Sequence, residues 1–383
     1  MERICLPEET YERVRPFLKT LGITRIGRQT GLDHIGIPVW CAYTPNAKSI
    51  VVAQGKGLTD ADARTSAVME AIERAVACDP FLSIKNASAS ALSDADERVD
   101  LLVPLLGRNQ PAPRATETMA FAAGEDLFSF DRVYVPAEAV SLDRTLSNCR
   151  YWQSSDGLAS GNTYDEAIFH GLLERIERDA HVLWQVLPES RQHSRCLEPD
   201  AFSDEDVRSI IVKIEDAGML LRMFDMTSDI GIPCIGVFLA AKTALAARAP
   251  RYVDVTFGCG AHPSSERAAM RALTEAAQSR VTYISGARDD VFHETYRRPL
   301  PERLSKLFSA DPSRGVPLPG PNDLAGILGN LKRSGITQAI AVRLSEPALP
   351  FAVVKILVPG LESPEGERRY RFGDRAMTAS FTS

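Results

Sequence analysis

The chain has 383 residues, of which 44% are hydrophobic and 25% are charged, and this is the composition of an ordinary soluble globular protein. The formal net charge of -6 argues against duplex nucleic acid as a partner, because proteins that bind it usually carry a basic excess. No run approaches the roughly 18 apolar residues of a membrane span, and the start shows no signal peptide. We therefore expect a cytoplasmic protein with one large or two closely packed domains.

Helix-like and strand-like segments alternate along the chain. Residues 79–117 are rich in Ala, Ser, Asp and Pro and are predicted to be a long surface excursion, and 187–202 a loop. The spacing of apolar residues predicts, in order, a helix at 7–18, strands at 39–43 and 50–53, a helix from Thr59, a strand at 132–135, a helix after Thr163, a helix at 203–216, strands at 219–225 and 234–240, helices at 264–280 and 322–333, and strands at 339–343 and 351–358.

This alternation favours the α/β or α+β class, with helices packed on a mixed sheet. We expect residues 1–54 to form an N-terminal helix and strands that pack on a main domain of residues 55–383. The seven cysteines are scattered and never spaced as C-x-x-C, and the six histidines show no ligand spacing. We therefore expect reduced thiols, and any bound metal is expected to be held by oxygen. His262 is expected to cap a helix or lie in the core, and no partner base marks Cys259 as a nucleophile.

An internal repeat connects the strongest helices. Residues 59–74 match residues 163–178, which lie 104 positions further on, at six of sixteen positions. A weaker third copy begins about 101 positions later and places Glu275 and Gln278 where the earlier copies have two glutamates. Glycine-bearing turns precede the helices, at Gly57, at Gly161 and near Gly260. The chain is therefore predicted to contain about three strand–glycine turn–helix repeats that share an E-x-x-E or E-x-x-Q pair.

The repeated glutamate pairs indicate a metal site. Glu70 and Glu73 are three residues apart and share one helix face, and Glu174 and Glu177 repeat the arrangement. Both helices are apolar nearly all round, so we expect them to be buried on most sides. Buried carboxylates that approach one another lose solvation and repel, and both effects raise their pKa values. A divalent cation relieves both costs, and Mg2+ prefers a few carboxylates together with substrate phosphates.

Nearby basic residues are candidates to neutralise the oxygens of a polyphosphate. These are Arg74, Arg178, Arg271 and Arg280. A structural interpretation stays open, because Glu and Arg at i and i+4 form ion pairs that stabilise any helix by a few tenths of a kcal/mol. The turn Gly55-Lys56-Gly57 also has two interpretations. It lacks the spacing of a P-loop, and a plain strand-to-helix turn competes with a phosphate cradle.

Four stretches closely resemble the YcaO family: GKGLTDADARTSAVMEAIERAVA, DGLASGNTYDEAIFHGLLERIERDA, FGCGAHPSSERAAMRALTEAAQSR and VPGLE. They occur in this order between residues 55 and 362, so the resemblance covers nearly the whole chain and implies a YcaO-like fold. The family uses an S-x-x-x-E-x-x-E-R helix, a G-N-T-x-x-E-A start, an E-x-x-E-R helix and an arginine before T-E-x-x-Q to bind nucleotide. On this chain the resemblance implies magnesium ligands at Glu70, Glu73, Glu174 and Glu177, and ATP-binding residues at Ser66, Asn162, Glu166, Arg178, Arg271, Glu275 and Gln278.

The resemblance implies ATP-dependent activation of a peptide backbone amide. A nucleophile adds to the amide carbonyl, ATP phosphorylates the resulting oxygen, and phosphate leaves. The product is a thioamide with a sulfide source, an azoline with a neighbouring Cys, Ser or Thr side chain, or an amidine with an amine. The segments TGLDHIGIPVW and AQSRVTYISGARDD resemble members that work with a TfuA-like partner, and the sequence ends without the proline-rich tail common in azoline-forming members.

Both features favour thioamidation of a peptide or protein, with a TfuA-like partner that presents sulfur or substrate. Two other interpretations stay open. One is an azoline-forming cyclodehydratase, and the other is a non-catalytic accessory protein that binds ATP. The retained carboxylates favour an enzyme over the accessory protein. We also expect a possible homodimer, as is common for large α/β enzymes.

Overall fold

The computed structural model describes residues 3–364 and 372–382, and within these ranges strands and helices alternate. The strands are β1 (Arg25–Arg28), β2 (Val39–Tyr43), β3 (Val52–Lys56), β4 (Ile84–Ser88), β5 (Arg98–Val99), β6 (Thr118–Asp126), β7 (Arg132–Pro136), β8 (Leu158–Gly161), β9 (Met219–Asp225), β10 (Cys234–Ala241), β11 (Val255–Ala261), β12 (Ile340–Arg343) and β13 (Ala352–Leu357). The helices are α1 (Pro7–Val14), α2 (Asp60–Cys78), α3 (Ala89–Asp94), α4 (Tyr164–Gln185), α5 (Glu189–His193), α6 (Glu205–Asp216), α7 (Lys242–Leu245), α8 (Ser265–Ser285), α9 (His293–Arg297), α10 (Glu302–Lys306), α11 (Leu324–Arg333) and α12 (Asp374–Thr382).

The strands form three sheets. β1, β2 and β3 form an antiparallel sheet in which Cys41 pairs with Gln54. A second antiparallel sheet has the order β11-β10-β9, and in it Val237 lies between Met223 and Gly258. The third sheet has seven strands in the order β5-β7-β6-β12-β13-β8, with β4 paired to β6, and it is mixed because β5 runs parallel to β7. The predicted class, a mixed sheet with packed helices, is confirmed.

Three strand–helix units carry the longest helices. β3 leads into α2, β8 into α4 and β11 into α8, and each of these strands lies at one end of its sheet order. A side-chain hydroxyl begins each helix by accepting a hydrogen bond from a backbone N–H three residues later. These capping residues are Thr59, Thr163 and Ser264. That the three units are internal repeats stays a prediction.

Glycines allow each strand to lie directly on its helix. A Cβ atom added to Gly55 would meet the Ala67 backbone nitrogen at 2.0 Å, and one added to Gly258 would meet the Ala272 carbonyl oxygen at 2.3 Å. These glycines are therefore needed for close approach of two backbones. Gly55 packs against α2, so its lack of a side chain serves the contact between strand and helix, and whether the turn Gly55-Lys56-Gly57 also contacts phosphate stays a prediction.

The three units surround a common interior. α2 contacts β8, α4 contacts β11, and α8 contacts β3, so each helix touches its own strand and the strand of the next unit. The opposite faces of the helices are buried in separate hydrophobic clusters, where Ile72, Ile176 and Leu273 are fully buried. Burial of such a side chain contributes roughly 1.5–3 kcal/mol. The polar face of each helix is thereby directed towards the same space.

Two sequence expectations need correction or comment. Residues 79–117 are not a plain surface excursion, because they contain β4, α3 and β5, and Ile84 of β4 pairs with Ala122 of β6. The sequence shows no alternation of apolar and polar residues here, because β4 is largely exposed on both faces. The domain boundary at residue 54 stays a prediction.

In the part of the chain that the structure describes, no helix has the length and apolar character to cross a membrane.

Candidate active site

A cavity of about 560 Å³ lies between the three helices. Each helix contributes residues at the same four relative positions, i, i+4, i+7 and i+8, which lie on one face. From position i to position i+8 each helix rises about 12 Å, so the lining residues are spread along the length of the cavity. At these four positions the lining residues are Ser66, Glu70, Glu73 and Arg74 from α2; His170, Glu174, Glu177 and Arg178 from α4; and Arg271, Glu275, Gln278 and Ser279 from α8.

The structure brings nine of the eleven predicted site residues to this cavity, and the two exceptions lie beside it. Asn162 and Glu166 are buried at the start of α4, where Asn162 Oδ1 accepts a hydrogen bond from Thr10 Oγ1 at 3.1 Å. Asn162 Nδ2 in turn donates to Glu166 Oε2 at 3.4 Å. The Glu166 carboxylate interacts electrostatically with the Arg3 guanidinium, which does line the cavity. These two residues therefore support the cavity wall from behind.

The carboxylates in the cavity differ in their electrostatics. Burial raises the pKa of Glu73 to about 7 and that of Glu174 to about 8, and it also raises the pKa of Glu177. Burial acts on Glu275 in the same direction, but the Lys56 ammonium and two neighbouring arginines outweigh it, so the pKa of Glu275 is lowered. The cavity thus holds both carboxyl groups with raised pKa values, such as Glu73 and Glu174, and a carboxylate that is ionised, Glu275.

The second residue of each E-x-x-E or E-x-x-Q pair also forms hydrogen bonds with the strand of the next unit. Glu73 Oε1 accepts hydrogen bonds from the backbone nitrogen and the hydroxyl of Ser160, at 3.0 and 2.7 Å. Glu177 Oε2 accepts from the Ala261 backbone nitrogen at 2.9 Å. Gln278 makes the corresponding contact by donating from Nε2 to the Gln54 carbonyl at 3.1 Å. Each of these side chains therefore satisfies a backbone group at the end of the neighbouring sheet.

The basic residues make the ion pairs expected from their spacing, inside the cavity. Arg74 Nη2 lies 2.9 Å from Glu70 Oε1, and Arg178 Nη2 lies 3.6 Å from Glu174 Oε1. Arg280 is placed elsewhere, because its Nε donates to the Asp33 carboxylate at 3.0 Å and its side chain does not line the cavity. The expectation that Arg280 faces the site is therefore wrong.

Several lining residues escaped the sequence analysis. His170 occupies on α4 the position of Ser66 on α2, so the alignment of the repeat contained the signal. Burial and the positive charge of Arg271 lower the pKa of His170 well below 6.5, so its imidazole is neutral. The sequence analysis considered Lys56 only as part of the turn Gly55-Lys56-Gly57. Arg288 and Asp290 follow α8 and end the segment AQSRVTYISGARDD, which the sequence analysis used for the resemblance but not for the site.

Cys259 and His262 do not supply reactive groups. Cys259 Sγ lies 3.5 Å from Cys234 Sγ, both side chains are buried, and contact with Cys234 and burial raise the pKa of Cys259 well above 9. A thiol with a raised pKa is a poor nucleophile. The His262 Nδ1 atom accepts a hydrogen bond from the Ser264 backbone nitrogen at 3.0 Å, so this partly exposed histidine fixes the turn before α8, whereas Ser264 caps the helix itself.

Buried polar atoms without hydrogen-bond partners in the cavity wall indicate which kind of ligand would fit. Among the described residues, Arg74 Nη1 and Arg271 Nε are buried donors without a hydrogen-bond partner, and Gln278 Oε1 is a buried acceptor without one. Such groups are costly unless a ligand satisfies them. Among the described residues, no group of three or more His, Cys, Asp or Glu side chains is arranged to hold a metal ion, so these glutamates would need oxygens from a ligand to hold one. The wall therefore fits a polyphosphate whose own oxygens complete the coordination of a hard cation such as Mg2+.

Comparison with known proteins agrees with this geometry. A family model described as YcaO cyclodehydratase, ATP- and Mg2+-binding, matches residues 54–362. A protein in the tfuA 3' region of Rhizobium leguminosarum bv. trifolii is 36% identical over 388 residues, which cover 98% of this chain and 92% of that protein. A protein of Methanothermobacter thermautotrophicus is 34% identical over 378 residues, which cover 93% of this chain and 94% of that protein.

Solved structures share the fold. The structure of YcaO from Methanopyrus kandleri bound with AMPPCP and Mg2+ has a TM-score of 0.75 at 25% identity, and the match covers 97% of this chain and 95% of that one. The E. coli microcin synthetase McbBCD complex with pro-MccB17 bound contains a chain with a TM-score of 0.65 at 16% identity, and the match covers 93% of this chain and 94% of that one. The second likeness concerns the fold alone.

Proposed function

The chain belongs to the YcaO family, and from this premise we propose that it uses ATP and Mg2+ to activate a peptide backbone amide for conversion to a thioamide. ATP and Mg2+ are the cofactors of the family. The observation that carries the proposal is the cavity between α2, α4 and α8, whose wall combines buried carboxylates with unsatisfied arginine donors. That combination suits a magnesium-bound polyphosphate such as ATP.

The proposed roles follow the geometry of the cavity. Magnesium would be held by Glu70, Glu73, Glu174 and Glu177, and it would neutralise charge on the phosphates. Arg178 and Arg271 donate to phosphate oxygens, and Gln278 Oε1 is free to accept from or coordinate the ligand. Ser66 and Glu275 complete the wall, while Asn162 and Glu166 hold the start of α4. The chain contributes position and charge compensation, the main sources of catalysis in phosphoryl transfer.

The proposed reaction balances without an oxidant or reductant. Sulfide adds to the amide carbon, and the carbonyl oxygen becomes an oxyanion that takes the terminal phosphoryl group of ATP, which leaves ADP. The carbon–oxygen bond then breaks, inorganic phosphate leaves with the former amide oxygen, and the carbon–sulfur double bond of the thioamide forms. The relative from the tfuA 3' region supports a TfuA-like protein as the partner that delivers sulfur.

Azoline formation is the second candidate. It is favoured by the description of the family as a cyclodehydratase and by a structural neighbour described as a heterocyclase in complex with substrate and cofactor. In this reaction a Cys, Ser or Thr side chain of the substrate replaces sulfide as the nucleophile. The same cavity serves both reactions, because only the nucleophile differs.

Intact-mass analysis tests the proposal. A candidate peptide is incubated with ATP, magnesium, sulfide and a TfuA-like partner, and with wild-type protein, Glu70→Gln or Glu177→Gln. We expect a mass gain equal to the exchange of oxygen for sulfur, absent in both variants. Glu205→Gln is the matched control, because Glu205 is an exposed residue of α6 outside the cavity. Loss of one water would assign azoline formation, and unchanged mass without ATP turnover would overturn the enzymatic function.

A further inference from the structure

Loops build one end of the cavity between α2, α4 and α8. We call this part the loop end, and its lining residues are Ile50, Arg144, Trp152, Ser155, Arg288 and Asp290. Hydrogen bonds fasten these loops to one another. The Val51 backbone nitrogen donates to the Asp289 carboxylate at 3.2 Å. Arg144 donates from its backbone nitrogen to the Lys48 carbonyl oxygen at 2.9 Å and from Nε to the Gln153 carbonyl oxygen at 3.3 Å. Loops held on a rigid scaffold in this way commonly carry the residues that recognise a substrate.

The loop end adjoins the proposed magnesium site. The charge of Glu70 acts on the Arg288 guanidinium, and the charge of Arg74 acts on the Asp290 carboxylate. Arg288 Nε also donates to Asp290 at 2.8 Å, so these two charges compensate each other. An amide that accepts the terminal phosphoryl group has to lie beside the phosphates that the cation holds. The part of the peptide that flanks the reacting amide is therefore placed at the loop end.

Trp152 is the most exposed of four large apolar side chains that line the cavity. It is 36% exposed, whereas Ile50, Met69 and Leu158 are between 4% and 6% exposed. Met69 and Leu158 are held in a hydrophobic cluster. Trp152 also lines a second, smaller cavity of about 40 Å³, so its side chain is incompletely packed. An indole in this position offers a large apolar contact surface that the ligand-free protein leaves unused.

We propose that Trp152 binds a large apolar or aromatic side chain of the substrate peptide next to the reacting amide, and thereby determines which peptides are accepted. This inference rests on the proposed function and names a substrate class for it. The occupant belongs to the substrate because the loop end and the ATP site share one cavity. Aromatic rings pack favourably against apolar and aromatic groups, and a small side chain leaves most of this contact unmade.

Ligand-observed NMR titration of the protein saturated with Mg·AMPPCP tests the inference without requiring turnover. The probes are two capped tripeptides, one with phenylalanine and one with alanine between two glycines. We expect wild type to bind both in the millimolar range and the phenylalanine peptide at least about tenfold more tightly, since an apolar pocket discriminates mainly by the area that it buries. Equal affinities for the two peptides, or binding of neither, would overturn the inference.

Substitution of Trp152 assigns the preference to this side chain. Trp152→Ala should reduce it to under about threefold, and Trp152→Phe should keep most of it because a ring remains. Both variants should bind Mg·AMPPCP within about twofold of wild type, which shows that they are folded. Phe81→Ala is the matched control, because Phe81 is a 58% exposed aromatic residue outside the cavity.

Two results separate the inference from the proposed function. An undiminished preference in Trp152→Ala would overturn the role of Trp152 and leave the ATP site intact. Failure of wild type to bind Mg·AMPPCP would instead remove the ATP site, and with it the reason for placing the peptide at the loop end.

Discussion

Glu73 and Glu174 hold their protons unusually tightly for glutamates. Their pKa values of about 7 and about 8 arise mainly from burial, whereas a glutamate in an unfolded chain titrates near 4.3. The ligand-free protein therefore carries protons that a bound cation would displace. Nucleotide binding with magnesium should release protons to the buffer, because the cation favours the ionised carboxylates.

Glu174→Gln should change the dependence of stability on pH. The pKa of Glu174 is higher in the folded than in the unfolded protein, so the folded state binds more protons between roughly pH 4.5 and pH 8 and its stability falls as pH rises through this window. Glutamine removes this contribution. Melting temperatures measured from about pH 5 to pH 8 should therefore fall less steeply in the variant than in wild type.

Glu205→Gln, on the exposed start of α6, provides the reference for this series. Its melting temperatures should run parallel to those of wild type, because the changed side chain is exposed and lies outside the cavity. Identical slopes for Glu174→Gln and wild type would contradict the raised pKa of Glu174 in the folded protein.

At the scale of elements, each strand–helix unit depends on contact between two backbones. Gly258 of β11 lies against the carbonyl oxygen of Ala272 and the nitrogen of Ala276, both on α8. The helix presents Arg271, Glu275 and Gln278 to the cavity only while it stays at this distance from its strand. The position of the predicted site residues is therefore set by a glycine outside the site.

Gly258→Ala should destabilise the protein strongly. The added Cβ atom would lie 2.3 Å from each of two α8 backbone atoms, and overpacking of this kind costs about 1–3 kcal/mol or more. Gly329→Ala on α11 is the matched control, since a Cβ atom there meets nothing within 4 Å. Relief of the helical glycine should stabilise the protein by roughly 0.5–1 kcal/mol. Urea denaturation measures both changes, and a neutral Gly258→Ala would contradict the close packing.

The glutamate pairs could be found from the sequence because they are local. A spacing of three residues on an apolar helix places Glu70 and Glu73 on one face whatever the rest of the chain does. The hydrogen bonds of Glu73 to Ser160 could not be found this way, because they depend on how two units 87 residues apart meet in space. The same holds for Lys56, whose partner Glu275 lies on another element.

At the scale of the whole molecule, the last helix is fastened to the helix that carries half of the proposed magnesium ligands. Arg375 of α12 donates from Nε and Nη2 to the two oxygens of Asp179 on α4, both at 2.9 Å. Asp179 is fully buried and lies two residues after Glu177. The Glu362 backbone nitrogen also donates to Asp179, and the Glu362 carboxylate accepts from the first turn of α12. The final part of the chain thereby supports the site from outside.

Arg375→Ala should unfold the protein at markedly lower urea concentration. It would leave the Asp179 carboxylate buried without its counter-ion, and removal of one partner of a buried pair costs about 3–5 kcal/mol. Arg251→Ala is the comparison, because Arg251 forms a similar pair with Asp254 at 2.8 Å but is 56% exposed. That change should cost under about 1 kcal/mol. Equal midpoints for the two variants would contradict the role of Arg375 in anchoring α12.

The fate of the amide oxygen tests the proposed chemistry most directly. A peptide whose reacting amide carries a heavy oxygen isotope is modified with ATP, magnesium, sulfide and the partner, and the released inorganic phosphate is analysed by mass spectrometry. We expect one labelled oxygen in each phosphate, since the amide oxygen takes the phosphoryl group before it leaves. This outcome holds for thioamide and azoline products alike. A modified peptide accompanied by unlabelled phosphate would contradict activation of the amide by phosphorylation.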